Sequence, residues 1–215
     1  MKGFEMKTIV ETFSELLLET ASEALYALVV IAQLTAFTYD VATNNPTSPN
    51  DVRRDFTEEM AEEIAIAAYV AETETGIPAP ELIAVAWRES RFRVNAVGDG
   101  GRSCGPTQVR WDIWSREIAW AHTEFDATGL SCQTLKDWDF AMMVSAQILL
   151  INRNTCSQQN YLAAYNGGCR RAEFRTTQGY QTRVRRTARR FQEPEMPQTI
   201  NWLGSFSMTS LNEKL

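Results

Sequence analysis

Residues 138–151, WDFAMMVSAQILLI, are a strongly apolar stretch of helix length. A helix with so little polar surface needs partners on most sides, so the stretch predicts a central buried helix in an all-α fold. Helical spacing recurs upstream. Residues 53–74 set Met60, Ile64, Ala67, Ala68 and Ala71 on one side and acidic residues on the other, and Gly76 and Pro78 stop the pattern. Pro80 suits the first turn of a following helix through Leu82, Ile83, Val85, Ala86 and Trp87, which carries Glu89 near its C-terminal end. Trp111, Trp114 and Trp120 recur at helical spacing and predict a packed face. The segment Gly98–Gly105, GDGGRSCG, is too rich in glycine for a helix and predicts a tight turn or small hairpin.

The N-terminal region reads differently. Met6, Ile9, Val10, Phe13, Leu16, Leu17 and Ala21 form an apolar stripe opposite Glu5, Glu11, Glu15, Glu19 and Glu23, the pattern of an amphipathic helix. Residues 24–37, ALYALVVIAQLTAF, are almost wholly apolar but contain Gln33 and fall short of the roughly 20 residues that cross a bilayer. A standard transmembrane span is not expected, although membrane contact is compatible with the stripe. The five glutamates beside Lys2 and Lys7, and the lack of a clear small-x-small site before Asp40, argue against a secretory signal. The expectation is a long helix that docks on the rest of the chain or on a partner copy. NNPTSPN at 44–50 reads as a linker. Three regions follow: residues 1–48 for assembly or attachment, 49–192 as the main domain, and 193–215 as a tail in which Trp202, Leu203 and Phe206 predict a docked segment.

The 215-residue length allows one ordinary core plus an appendage. Residues 1–80 hold 14 Asp/Glu against 4 Lys/Arg, and residues 81–215 hold 13 against 17, giving −10 and +4. The basic part, with its run from Arg170 to Arg190, suits an anionic polymer or a solvated face, and the sequence does not choose. Cys104, Cys132, Cys156 and Cys169 permit two disulfides in three pairings, as in an oxidising compartment. No cysteine spacing fits zinc, and His122, the only histidine, has no visible partner for metal or base chemistry.

Glu89 is the candidate with chemistry. A carboxyl held where an apolar helix meets a cleft is desolvated, which raises its pKa and lets it act as a general acid. Glu89 and Ser90 within WRESRFRVNAVGDGG, then GPTQ at 105–108, AYNGG at 164–168 and Tyr180 in GYQTRVRR together resemble the soluble lytic transglycosylase family of the lysozyme-like superfamily, over roughly residues 77–192. The resemblance implies a lysozyme-like helical domain that cleaves the MurNAc-GlcNAc β-1,4 bond of peptidoglycan, leaves 1,6-anhydroMurNAc ends and needs no cofactor, metal or nucleic acid. Glu89 is then the acid/base, Ser90 orients the muramoyl group, Gln108 contacts the sugar chain, Tyr165 and Asn166 line the groove, and Tyr180 holds the Glu89 carboxyl. Pro106 and Thr107 depart from the Leu and Met usual in the family's loop.

Members with such an N-terminal helix resemble those carried in phage virions to open the host wall, the helix serving self-association or a virion or secretion-machine partner; a secreted or periplasmic bacterial enzyme is the alternative. Two rival functions stand beside this one. A lysozyme-type hydrolase needs a second carboxylate to hold water, for which Asp99 and Asp112 are nearest. A non-catalytic wall-binding structural component needs no acid at all.

Overall fold

The computed structural model describes residues 5–44, 55–120 and 129–191, with side chains from Thr20 on and not at Ala119 and Trp120. The expected linker over residues 45–50, His122, the side chain of Trp120, most of the Met6–Ala21 stripe and the tail beyond residue 192 lie outside that description. The described chain is mostly helical, as the sequence implies. It divides into two units, Met1–Gln33 with Glu193–Leu215, and Leu34–Gln192.

In the first unit, helix α1 (Glu5–Thr43) begins, and Leu25 and Leu28 are exposed on it by 50% and 64%. The span Thr20–Thr43 is long and apolar enough to cross a membrane by length and composition. It exceeds the 14-residue run read from sequence because Thr20, Ala21, Tyr39, Val41 and Ala42 extend it, with Glu23 and Asp40 as the charged residues it takes in. Its last turns are already committed to protein, however. Leu34, Phe37, Val41 and Ala42 are no more than 6% exposed, so the stretch outside the larger unit covers only about 21 Å at 1.5 Å per residue.

In the second unit, α2 (Glu58–Thr75) starts at Glu58 because the Thr57 side chain accepts the Met60 N–H, and it ends at Gly76, whose φ of 65° lets its N–H close on Glu72 O at 2.7 Å. Helix α3 (Ala79–Ser90) follows, with Pro80 in its first turn. Strands β1 (Val97–Gly98), β2 (Ser103–Cys104) and β3 (Val109–Arg110) form a small antiparallel sheet in the order β1-β2-β3, pairing Gly98 with Ser103 and Cys104 with Val109. The hairpin expected over 98–105 is thus present and has a third strand that the sequence does not announce. Then come α4 (Trp111–Trp120), α5 (Trp138–Thr155), α6 (Tyr161–Gly167) and α7 (Arg175–Ala188).

Helix α5 is the central element. It packs against α2, α3, α4 and α6, and Ala141, Met142, Val144, Ser145, Ala146, Ile148 and Leu149 are fully buried on it. Asp137 caps its start by accepting the Phe140 N–H at 2.9 Å. Trp111 and Trp114 pack against a cluster formed by Cys104, Val109, Ile118, Leu135 and Ile148, the packed face that their spacing predicts. Disulfides join Cys104 to Cys132 and Cys156 to Cys169, one of the three possible pairings. The final turns of α1 are held in this unit by an ion pair between Arg190 and Asp40 and by an edge-on contact of Phe37 with Phe191 at 5.6 Å.

Candidate active site

Helix α3 ends abruptly, and that ending creates the site. Arg91 and Phe92 both adopt left-handed backbone, with φ of 60° and 58°, at roughly 1–2 kcal/mol each for L-residues. Packing offsets this cost: the Phe92 ring is fully buried, 5.4 Å from Phe56, 5.2 Å from Trp87 and 6.3 Å from Trp138. The Ser90 hydroxyl completes the turn by donating to Ala86 O at 3.3 Å and accepting the Arg93 N–H at 3.0 Å. Glu89, two residues before Arg91, is left at the wall of an open polar cleft of about 510 Å³.

The cleft is lined by Glu89, Ser90, Asn166 and Tyr180 together with Arg88, Arg91, Arg93 and Arg183. Four of the six residues expected from sequence therefore meet in one place. The other two, Gln108 and Tyr165, are not among the lining residues. Gln108 turns its Nε2–H to Gly105 O at 2.9 Å. Tyr165 donates its hydroxyl to Thr107 O at 2.9 Å and lies 3.2 Å from the Ser145 hydroxyl. Both side chains brace the loop 105–108. Tyr165 stays within electrostatic range of Glu89, whose charge, after burial, helps push the phenol upward.

Burial raises the Glu89 pKa to about 6, opposed by Tyr180 and Arg88 and assisted by the Asp99 carboxylate. Tyr180 lies in the second turn of α7 and is only 4% exposed. Its hydroxyl makes no hydrogen bond of good geometry among the described residues, yet it lies near enough to Glu89 for the two to alter each other's proton affinity. Desolvation pushes the Tyr180 phenol well up, so it stays a neutral donor.

Of the two further carboxylates weighed from sequence, Asp99 sits exposed on the β1–β2 turn, accepts a hydrogen bond from Ser103 and acts on Glu89 as a like charge. Asp112 is engaged by Arg110 in a two-point pair at 3.1 and 2.7 Å, which holds its carboxyl below the usual range. The glycines of the motifs have steric reasons. A Cβ on Gly105, at φ 76°, would lie 1.9 Å from Leu135 O, and one on Gly167 would lie 2.5 Å from the Thr177 methyl.

The arginine run resolves into separate tasks. Arg183 lines the cleft, Arg185 donates to Gln159 O and lies over the Tyr161 ring, and Arg190 pairs with Asp40. Sequence reasoning missed Arg93 as a cleft residue. It also missed the partly buried hydrogen bond from Tyr161 to Glu81, which ties α6 to α3 across 80 residues with no local signal. Among the described residues, no group of three or more His, Cys, Asp or Glu is placed to hold a metal.

Comparison with known proteins finds no family model, no curated protein and no solved structure that matches this chain. The resemblance carried by its motifs therefore rests on those residues alone.

Proposed function

We propose that this chain is a peptidoglycan lytic transglycosylase of lysozyme-like fold, with Glu89 as its single acid/base. The observation that carries the reading is the Glu89 carboxyl, held at a helix end in a polar cleft with its pKa lifted to about 6. A carboxyl in that state is protonated often enough near neutral pH to act as an acid, and basic enough once ionised to take the proton back.

In the proposed reaction Glu89 protonates the oxygen joining N-acetylmuramic acid to N-acetylglucosamine, and the C1–O bond breaks. The ionised carboxylate then removes the proton from the muramoyl C6 hydroxyl as its oxygen bonds to C1. Atoms and charge balance without water, and the acid is regenerated. Tyr180, a buried neutral donor beside Glu89, steadies the carboxylate between the two steps. Asn166 supplies an exposed amide to the sugar, and Ser90 acts through the turn that it closes. Two disulfides favour work outside a reducing cytoplasm, in a virion or a periplasm.

A hydrolytic outcome is the second reading, favoured by one observation: the Asp99 carboxylate, although not in the cleft lining, lies within electrostatic range of Glu89 and helps raise its pKa. Mass spectrometry of muropeptides released from purified peptidoglycan by the full chain and by Glu89→Gln separates the readings. Glu89-dependent 1,6-anhydro ends support transglycosylation. Reducing ends, lost again in Asp99→Asn, support hydrolysis. Equal release by wild type and Glu89→Gln would sink both.

A further inference from the structure

The cleft is more basic than a neutral glycan requires. Arg88, Arg91, Arg93 and Arg183 all line it, and Glu89 is the one acidic residue among its walls. Arg91 is occupied with Trp87: its guanidinium lies 5.0 Å from the ring centre and donates to Trp87 O at 3.1 Å. Arg93 uses Nε–H on Ser90 O at 2.9 Å, which leaves the outer donors of its planar fork. Arg183 folds back across Gly179, where a side-chain carbon would stand 3.4 Å from its guanidinium nitrogen. A helix-interior glycine costs about 1 kcal/mol against alanine, and here it leaves room for that arginine.

Arg93 and Arg183 form no ion pair with a carboxylate among the described residues, and Arg88 has Glu89 as a nearby counter-charge. Arg88 is also held below its usual pKa by burial and then by the neighbouring Arg183 and Arg91. Cations crowded so closely repel one another. An anion seated between them relieves that repulsion.

We propose that Arg88, Arg93 and Arg183 make this cleft selective for glycan strands carrying free carboxylates beside the sugar chain, such as unamidated peptide stems, over strands whose carboxylates are neutralised. The inference rests on the glycan-cleaving reading of the site and names the substrate class within it. Planar guanidinium groups match carboxylate geometry in two-point contacts. The contacts sit at an open cleft, so salt weakens them.

The test uses full-length Glu89→Gln protein pelleted with purified wall stripped of phosphate polymers. One portion of the wall keeps its carboxylates, and the other has them coupled to methylamine as neutral amides. The expected result is about tenfold tighter binding to the free-acid wall at low salt, a ratio near one after R93Q/R183Q, and partial recovery of the preference with R93K/R183K. R170Q/R171Q, on exposed arginines outside the cleft, is expected to leave the ratio unchanged. Circular dichroism checks that each variant is folded. Equal binding to both walls, or a preference that persists in R93Q/R183Q, overturns the proposal, as does a preference that appears only when phosphate polymers are left on the wall. Release of anhydro ends by the Glu89 protein is scored separately, so a retained preference without any cleavage would refute the reaction and leave the ligand class standing.

Discussion

The Tyr165 hydroxyl donates to the Thr107 carbonyl at 2.9 Å, so a residue of α6 fixes the loop that joins β2 to β3 from 58 positions away. Thr107 is fully buried, and its carbonyl would lose that partner in Tyr165→Phe. Leaving a buried acceptor unpaired costs about 1–3 kcal/mol. Urea unfolding of Tyr165→Phe is expected to show a loss in that range with unchanged slope. A change below a few tenths would mean that the loop is held by its disulfide and backbone alone.

The acid limb of catalysis gives a second prediction. Glu89 donates only when protonated, so kcat/KM is expected to be flat below pH of about 6 and to fall tenfold per unit above it. Tyr180 lowers the Glu89 pKa and Asp99 raises it. Tyr180→Phe should therefore move the limb to higher pH, and Asp99→Asn should move it to lower pH. Shifts of the same sign in both variants would show that the limb does not report Glu89.

Stability should fall with rising pH in the same direction as the acid limb of activity. Because the folded-state pKa of Glu89 is raised, the stability it contributes is fully present below about pH 4.5 and lost as pH rises through about 6. Ionised Glu89 then costs up to about 2 kcal/mol at pH 8. Glu89→Gln, which abolishes turnover by at least about a hundredfold, should melt roughly 4–8 °C higher than wild type at pH 8 and close to it at pH 4. Equal melting temperatures at both pH values would contradict the burial argument.

Glycine 105 separates steric from conformational cost. Gly105→Ala drives a Cβ into Leu135 O and is expected to destabilise by roughly 3 kcal/mol or more. Gly100→Ala meets nothing within 4 Å and should cost only the left-handed backbone, about 1 kcal/mol. Thermal melts of the two single variants decide it; equal losses would remove the steric explanation.

Two truncations test where the larger unit begins. Removing residues 1–33 leaves Leu34, Phe37, Val41 and Ala42 in place, whereas removing 1–48 strips these buried side chains. The longer deletion should lose roughly 5 kcal/mol or more of stability relative to the shorter. Comparable denaturation midpoints would restore the boundary near residue 48 that the prolines Pro46 and Pro49 propose.

The helices were legible because their signals are local. Thr57 and Gly76 bound α2, Pro80 opens α3, and the apolar surface of α5 dictates a central place for it. Glu89 was legible for the same reason, being the first charged residue but one after an apolar helix. What stayed hidden depends on chain reversal. The two-residue strand β3 is too short to carry any period, and the point at Leu34 from which α1 belongs to the larger unit is not marked by a change in hydrophobicity. Arg183 joins Arg88 and Arg93 only because α7 packs on α3, a contact bridging about 90 residues. The roles of Tyr165 and Gln108 as braces likewise follow from where their partners lie, which no motif records.

All four non-glycine residues with positive φ among the described residues, Arg91, Phe92, Asp99 and Gln108, fall in residues 91–108, the segment that leaves the cleft wall at the end of α3. Glycine or asparagine would rest more easily in those conformations. A library selected for heat resistance alone would therefore drift toward such residues here. It would yield sturdier chains that had shed their arginine and their turn carboxylate, and the segment's resistance to that drift is a measure of how strongly selection holds the cleft.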